Sequence, residues 1–338
     1  MVFRDSEDSA LTEQYCIENG VLIATSLYYR LSLFVSLVTS IFSATYTTFF
    51  LHRFYNKSPF FHKNLKTLFF SLCICCLAHS IINVAMKGHH LALTFLHSTN
   101  CHIFLPRLLY AFMAVSSTFT YLVSEFMLFA IVVERWIAFI FCGSYETGYT
   151  KLAPVLIAVA VLTPSTLIFI VFYGQSFDGL YLSGRVFPPN TYMSANVLLI
   201  ALLATNITGL LLTVILHLLT PKRRIRMSLS SKFQSKENMI ASTLLFWVST
   251  VQFTALCFSQ SVLLYLRIYQ RTNPMSLAFK EISDFFNFYT LALPVMSTLY
   301  FVKVKQQRIR DIRNHVNMKA IGNDGWTNYS AVIERQWR

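Results

Sequence analysis

Residues 152–173 read LAPVLIAVAVLTPSTLIFIVFY, a run of 22 residues without one charged side chain. A helix that crosses the hydrocarbon core of a bilayer needs about 20 mostly apolar residues, so this run is long enough to span it. Pro154 and Pro164 lie inside the run. Proline is tolerated in a transmembrane helix where neighbouring helices satisfy the freed backbone groups. The run therefore predicts a transmembrane helix that is packed within a bundle.

Six further apolar stretches of similar length lie along the chain, three before this run and three after it. Asp284 and Asn287 interrupt the first half of the last stretch, which is otherwise apolar. The sequence therefore predicts an all-α membrane protein, a bundle of seven transmembrane helices over residues 27–302, between an N-terminal tail of residues 1–26 and a basic tail of residues 303–338. The predicted spans are Leu31–Leu51, Thr67–Met86, Leu108–Val133, Leu152–Tyr173, Met193–Leu219, Met239–Leu264 and Ile282–Val302.

Composition supports a membrane protein over a soluble one. Hydrophobic residues make up 55% of the chain and charged residues 13%, whereas a soluble domain carries about 25% charged residues. The formal net charge of +13 could suggest nucleic acid as a partner, but that requires a basic soluble face. Here the basic residues lie mostly between apolar segments, so no nucleic-acid partner is expected.

Lysine and arginine are distributed unequally over the two sides of the predicted membrane domain. The connections after the first, third and fifth spans carry four, two and six of them and the tail carries eight, which is 20 of the 28 in the chain. Because basic residues resist translocation, this side is predicted to be cytoplasmic. The C-terminus is then cytoplasmic, and an odd number of spans places the N-terminus outside the cell.

The basic tail begins with apolar residues at helical spacing, among them Val302, Ile309 and Val316. Lysine and arginine surround this stripe, so we expect a short amphipathic helix on the anionic inner leaflet, with membrane lipids as partners. A disordered basic tail is the alternative. Beyond Ile321, a Gly-Asn-Asp-Gly run predicts disorder.

Glu134-Arg135-Trp136 stands at the cytoplasmic end of the third predicted span. An acidic residue next to an arginine at a helix end can hold the arginine in a pair while a receptor is inactive. Its release would let the arginine reach a cytoplasmic partner. The alternative is an ordinary interfacial ion pair beside a tryptophan of the aromatic belt.

Several segments match one receptor family. Glu134-Arg135-Trp136-Ile137-Ala138 resembles the Glu-Arg-Tyr-Ile-Ala segment of the nematode Sra/Srab group of seven-helix chemoreceptors. Leu229-Ser230-Ser231-Lys232-Phe233-Gln234, with Glu237-Asn238 after it, is similar to that group's segment at the start of the sixth helix. Cys101-His102-Ile103-Phe104 and Arg30-Leu31-Ser32-Leu33-Phe34 also resemble its patterns. The resemblance covers most of the chain.

The resemblance implies a G-protein-coupled receptor of sensory neurons, a multi-pass protein of the cell membrane, concentrated in their cilia. Its implied partners are a small-molecule ligand and a heterotrimeric G protein. Rhodopsin-like motifs differ, since Phe246-Trp247-Val248 and Leu293-Pro294-Val295-Met296 replace Cys-Trp-x-Pro and Asn-Pro-x-x-Tyr. Of that family's switches, only the Glu-Arg pair is therefore carried over. The predicted switch and coupling residues are Glu134, Arg135, Arg223, Arg224, Arg226 and Lys232.

Polar side chains within the predicted spans are candidates for a ligand site, because polar groups are costly in lipid and face the bundle interior. Each could instead make an interhelical hydrogen bond. Glu125 and Asp284 stand out, because a buried carboxylate needs a specific partner or a proton. The candidate pocket in the outer half of the bundle consists of Arg107, Tyr110, Ser117, Tyr121, His79, Asn83, Gln260, Asp284 and Asn287, with Glu125 as a buried acid deeper in the third span.

Of the cysteines, only Cys16 and Cys101 lie outside the cell in the predicted topology, where disulfides form. They either form a disulfide or remain free thiols. The loop from Gly174 to Tyr192 contains no cysteine, so the usual disulfide to this loop cannot form. Histidines 89, 90, 97 and 102 cluster in the predicted outer loop, but their irregular spacing does not predict a metal site. No metal or cofactor is expected.

The leading interpretation is a chemosensory receptor that binds a small molecule in the outer half of the bundle and signals to a heterotrimeric G protein. One alternative is an odorant-gated channel subunit of the insect kind, which has the opposite orientation and conflicts with the lysine and arginine distribution. A transporter is the other, although no inverted repeat is apparent. No nucleophile motif, phosphate loop or metal-ligand set indicates an enzyme.

Overall fold

The computed structural model describes residues 13–55, 62–96, 99–141, 145–149, 151–175, 177–185, 187–220, 229–270, 273, 275–316 and 322–337. These residues are helical or lie in short connections, and none of them forms a β-strand. The chain divides into two compact units, Met1–Pro294 and Val295–Arg338.

Eight helices of more than ten residues follow one another along the described part of the chain. Shorter helices cover Ile17–Val21, Leu22–Thr25, Asn100–Ile103, Tyr145–Gly148, Pro189–Thr191 and Ser276–Ile282. The long helices are α1 (Leu27–Phe54), α2 (Lys63–Leu96), α3 (Arg107–Ile140), α4 (Leu152–Phe172), α5 (Tyr192–Leu219), α6 (Leu229–Tyr269), α7 (Phe285–Val316) and α8 (Gly322–Trp337).

Six segments are long and apolar enough to cross a membrane, namely α1, α2, α4, α5, the part of α6 from Met239 onward, and Ser276–Arg310. The helix α3 is another long helix, with 34 residues. The prediction of an all-helical membrane protein is therefore confirmed, with six candidate spans and one further helix where the sequence predicts seven. Ser283 and Asp284 separate the helix Ser276–Ile282 from α7, at the polar interruption visible in the sequence.

Neighbouring helices pack against each other in chain order over much of the first unit: α1 on α2, α2 on α3, α3 on α4, and α5 on α6. Buried polar side chains join α1 and α2 to the beginning of α7. Ser40 is hydrogen-bonded to Asn287 at 2.9 Å, and Ser43 to Ser80 at 2.9 Å and to Thr290 at 3.0 Å. We call these five residues the polar seam. Small hydroxyls let the helices approach closely while the polar groups stay satisfied away from water.

The helix α2 extends ten residues beyond its predicted end at Met86. The prediction that His89 and His90 lie in a loop is therefore wrong, because both belong to the last turns of α2, and His90 is buried. His97 lies outside the described residues, and His102 lies in the short helix Asn100–Ile103. Lys87 directly follows the predicted end of the span, and its charge is paired with Glu281 inside the protein.

The described parts of the basic tail are helical. The helix α7 continues without a break to Val316, so the predicted boundary at residue 302 falls inside a helix. The prediction of disorder beyond Ile321 is wrong, since α8 covers Gly322–Trp337. The two glycines fall in the first turn of α8, where they interrupt few hydrogen bonds. Trp326 and Tyr329 then begin an apolar stripe at helical spacing.

Cys16 and Cys101 are joined in a disulfide, with their Cα atoms 5.1 Å apart. This bond connects the segment before α1 to the connection between α2 and α3. Beside it, Cys16, Ile23, Ile103 and Phe104 belong to one buried hydrophobic cluster. The segment around Ile17–Val21 is therefore anchored both covalently and by packing.

We expect Cys101→Ser to lower the free energy of unfolding by about 2–4 kcal/mol, because the disulfide closes a loop of 85 residues and its loss frees the unfolded chain. Thermal unfolding of the purified protein would measure the change. Cys75→Ser is the matched control, since Cys75 is a free cysteine within α2. Equal losses of stability in the two variants would contradict the expectation.

Candidate functional site

The connection between α4 and α5 is fixed to other elements at several points. The backbone N–H of Leu105 donates to the carbonyl oxygen of Tyr181 over 3.0 Å. The ring of Tyr181 stacks on that of Tyr110 in α3, with centroids 3.9 Å apart. Leu182 belongs to the hydrophobic cluster around Cys16. These contacts hold the connection in place, with Ser183 at Glu281 of the helix Ser276–Ile282 and Arg185 at Asp284 just after that helix.

A cavity lies between α3, α5, α6, this connection and the helix Ser276–Ile282. It encloses about 950 Å³ of space, a figure that includes solvent at its open side. Part of its lining is apolar. It is formed by Leu122, Phe187, Leu198, Leu199, Leu202 and Leu263.

The charged part of the lining carries more positive than negative charge. Arg185, Arg267, Lys280 and Asp284 line it. Arg185 forms an ion pair with Asp284. Burial alone lowers the pKa of the Arg185 guanidinium, but the carboxylate of Asp284 outweighs this and raises the pKa above its usual value. Arg185 therefore remains charged within the cavity.

The side chain of Arg267, near the end of α6, is held by polar and aromatic partners. Its Nε donates to Oδ1 of Asn196 over 2.8 Å and one terminal nitrogen donates to the carbonyl oxygen of Tyr192 over 3.4 Å. The guanidinium also lies 5.4 Å from the ring centroid of Phe187 and 5.3 Å from that of Tyr192. A rigidly positioned guanidinium is suited to bind a carboxylate or phosphate with defined geometry.

His79 reaches the cavity from α2. Its Nδ1 is 2.9 Å from the hydroxyl oxygen of Thr120 in α3. Its ring is 1% exposed, and Nε2 has no hydrogen-bond partner among the described residues. A buried nitrogen of this kind is a ready partner for a polar group of a ligand.

The structure brings some of the predicted pocket residues together and separates others. His79, Ser117, Tyr121 and Asp284 line the cavity. Gln260 lies behind this wall, where its Nε2 donates to the hydroxyl oxygen of Tyr121 over 3.1 Å.

Four predicted pocket residues do not line the cavity. Arg107 pairs with Asp178 on the surface, Tyr110 packs on Tyr181, and Asn287 belongs to the polar seam. Asn83 is buried, and its side-chain amide has no partner among the described residues. Their helices turn these side chains toward other neighbours, and helical spacing alone cannot determine that.

Glu125 is fully buried in α3 and accepts hydrogen bonds from two amides. Asn206 in α5 donates to Oε1 over 2.8 Å, and Gln260 in α6 donates to Oε2 over 3.2 Å. Asn206 also donates to Oε1 of Gln260 over 3.0 Å. Since Gln260 contacts Tyr121 as well, this network connects three helices to the wall of the cavity.

We expect Glu125→Leu to lower the free energy of unfolding by about 1–3 kcal/mol, because the buried hydrogen bonds that Asn206 and Gln260 donate to this carboxylate are lost. Glu125→Gln should cost clearly less, since the new side chain still offers an acceptor oxygen. Thermal unfolding of both variants in lipid nanodiscs would measure this. Equal losses would show that the hydrogen bonds do not determine stability here.

At the far end of α3, Glu134 and Arg135 form a buried ion pair. The two carboxylate oxygens of Glu134 accept from Nε and a terminal nitrogen of Arg135, each at 2.5 Å. Tyr145, in the connection after α3, donates its hydroxyl to the same carboxylate. Asn64 at the start of α2 in turn donates to the Tyr145 hydroxyl oxygen over 3.2 Å and to the carbonyl oxygen of Tyr149 over 2.7 Å. The pair is thus part of a network that holds Arg135 in place.

A second, smaller cavity of about 300 Å³ adjoins Arg135 between α3, α5 and α6. His217 and Phe246, stacked with centroids 4.1 Å apart, line it. Of the other predicted coupling residues, Arg223, Arg224 and Arg226 lie outside the described residues, and Lys232 is described only as part of the helix α6.

A further buried ion pair joins Lys87 of α2 to Glu281 in the helix Ser276–Ile282. The side chains of the two residues are 0% and 1% exposed. Ser183 of the α4–α5 connection donates its hydroxyl to the other carboxylate oxygen of Glu281. This pair and the Arg185–Asp284 pair connect α2 and the α4–α5 connection to the segment before α7, one on each side of Ile282.

Several residues of these sites carry no distinguishing pattern in the sequence. Arg185, Arg267 and Lys280 stand at the ends of predicted spans or in a loop, where basic residues are ordinary. Lys87 and Glu281 are 194 positions apart, and no short-range pattern indicates that they pair. The sequence shows that these charged residues lie near the ends of helices. It does not show which of them meet in the folded protein.

Comparison with known proteins identifies similar sequences over nearly the whole chain. The model of a family described as serpentine type 7TM GPCR receptor class ab chemoreceptor matches residues 14–338. Serpentine receptor class beta-17 of Caenorhabditis elegans is 24% identical, over 97% of this chain and 92% of that protein. Serpentine receptor class beta-3 of the same species is 26% identical, over 91% and 92%. Serpentine receptor class alpha-10 of Caenorhabditis briggsae is 24% identical, over 77% and 79%.

Proposed function

Because the chain belongs to the serpentine class ab family of seven-transmembrane chemoreceptors, we propose that it is a chemosensory receptor that couples a small-molecule ligand to a heterotrimeric G protein. The ligand occupies the 950 Å³ cavity. Its binding favours a conformation in which Arg135 leaves Glu134 and contacts the G protein. A ligand can do this only if it binds the two conformations with different affinity.

The observation that carries the proposal is that one helix, α3, contributes to both sites. Tyr121 lines the cavity, and Arg135 lies 14 residues farther along the same helix, which corresponds to roughly 21 Å of helix. The buried network of Glu125, Asn206 and Gln260 lies between them and joins α3 to α5 and α6. A movement of α6 relative to α3 at the cavity would therefore change the surroundings of the buried Glu134–Arg135 pair.

In this proposal α3 is the third of seven spans, the N-terminus is extracellular and the C-terminus cytoplasmic. The unequal distribution of lysine and arginine supports this orientation. The cavity then faces outward, and the Glu134–Arg135 pair faces the cytoplasm. The protein would reside in the cell membrane of sensory neurons, at their cilia, with membrane lipids around the basic tail.

Epitope tags at the two termini test the orientation in intact cells. We expect an N-terminal tag to be stained without permeabilisation and a C-terminal tag to be stained only after it. The reverse pattern would overturn the G-protein proposal and favour an odorant-gated channel subunit. Ligand-stimulated nucleotide exchange on purified G proteins then tests the coupling itself, and imaging of a fluorescent fusion tests the location in cilia.

A further inference from the structure

We propose that the cavity binds an organic anion with an apolar body, such as a carboxylic acid with an alkyl or aryl chain. This inference rests on the proposed function, because it names the chemical class of the ligand for the same cavity. It depends on the charge, the apolar lining and the arginine donors of the cavity.

The charged side chains of the cavity favour a negative ligand. Three basic residues, Arg185, Arg267 and Lys280, line it with one acid, Asp284. That acid is already paired with Arg185. Within the described part of the chain, no carboxylate lies within ion-pair distance of Lys280. A ligand amine would therefore meet an excess of positive charge, whereas a carboxylate would meet an opposite charge.

Arginine side chains at the cavity can donate to an anion. Nε of Arg185 is buried without a hydrogen-bond partner among the described residues. The guanidinium of Arg267 is held in a defined orientation by Asn196 and Tyr192. Positioned donors of this kind bind an anion without first being reorganised, and charge-assisted hydrogen bonds are stronger than neutral ones.

The apolar lining residues favour a ligand that also carries an apolar group. Five leucines and Phe187, from α3, α5, α6 and the α4–α5 connection, line the cavity. Inorganic anions such as phosphate would leave these side chains against water, whereas an alkyl or aryl group would cover them and gain free energy by burial. The combination of cationic and apolar lining residues therefore fits an amphiphilic anion better than a small inorganic ion or a neutral odorant.

Purified full-length receptor in phosphatidylcholine nanodiscs tests the ligand class. The probes are alkyl and phenylalkyl carboxylates of six to twelve carbons, each compared with the primary amine and the alcohol of the same skeleton. We expect at least one carboxylate to raise the midpoint of thermal unfolding, and its amine and alcohol counterparts to bind at least about tenfold more weakly.

Variants connect binding to the cavity. Arg267→Gln and Lys280→Gln should each weaken binding of that carboxylate about tenfold, and Lys280→Gln removes no ion pair of the described structure. Arg107→Gln is the matched control, because Arg107 is exposed, pairs with Asp178 and does not line the cavity. It should bind like the unmodified protein.

Two results would overturn the inference. One is that no carboxylate stabilises the protein, and the other is that an amine or alcohol binds as tightly as its carboxylate counterpart. The proposed receptor function fails separately, in the nucleotide-exchange assay. A carboxylate that binds the cavity without changing exchange on any G protein would contradict the receptor function and leave the ligand class standing. If only amines stimulated nucleotide exchange, the ligand class would be contradicted and the receptor function would stand.

Discussion

Exchanging Lys87 for methionine is expected to lower the free energy of unfolding by about 3–5 kcal/mol, because it leaves the carboxylate of Glu281 buried without its opposite charge. Both side chains are almost completely buried. The Ser183 hydroxyl alone cannot compensate for the lost ammonium group. Thermal or denaturant unfolding in nanodiscs would measure the loss, with the abundance of the variant at the cell surface as a second readout.

The chain contains a matched control for this experiment. Arg107 and Asp178 also form an ion pair, but their side chains are 60% and 56% exposed. Arg107→Met should therefore change stability by less than about 1 kcal/mol. The double variant Lys87→Met with Glu281→Leu should recover most of the stability, because an apolar pair of similar volume can replace a buried ion pair. Similar losses for Lys87→Met and Arg107→Met would contradict the role of burial.

The second large effect is expected at the end of α3. Glu134→Gln weakens the hold on Arg135 by removing the opposite charge, so nucleotide exchange without ligand should rise. Coupling energies between sites are typically 1–3 kcal/mol, which corresponds to about 5- to 150-fold. We expect an increase of about tenfold or more. Arg135→Ala should abolish stimulated exchange while leaving ligand binding at the cavity unchanged.

Arg53→Ala is the control for the Arg135 variant. Arg53 is an exposed arginine at the end of α1 that faces Phe49 and Phe54, so its loss should not affect coupling. A rise in exchange with Arg135→Ala, or no change with Glu134→Gln, would show that the Glu134–Arg135 pair does not restrain the receptor. Tyr145→Phe, which removes one hydrogen bond to Glu134, should give a smaller rise than Glu134→Gln.

Apolar runs predict most of the fold because the bilayer imposes one simple requirement on every spanning helix. The run 152–173 needs no partner to be recognised, and α4 covers all of it except Tyr173. The end of α2 could not be predicted in this way. The charged Lys87 follows Met86, and α2 nevertheless continues to Leu96 with this charge paired to Glu281, a residue far away in the sequence.

The residues of the candidate site could also be predicted only in part. Polar side chains in apolar helices are unusual, so they could be selected from the sequence. Four of those selected line the cavity: His79, Ser117, Tyr121 and Asp284. Arg185 and Arg267 could not be selected, since arginines near helix ends are ordinary. Their importance depends on the path of the α4–α5 connection, which brings Arg185 to Asp284. A loop path is determined by contacts distant in sequence, such as that of Tyr110 with Tyr181.

The polar seam has a consequence for how such receptors can diversify. Its hydrogen bonds fasten α1 and α2 to the beginning of α7, and none of its five residues lines the cavity. Substitutions in the leucine wall of α5 and α6 therefore leave this fastening intact. After gene duplication, one copy can acquire a new chemical preference through changes at a few cavity positions, while the half of the scaffold around the seam keeps its stability. The residues that stabilise this part of the fold are thus different from the residues that determine ligand specificity.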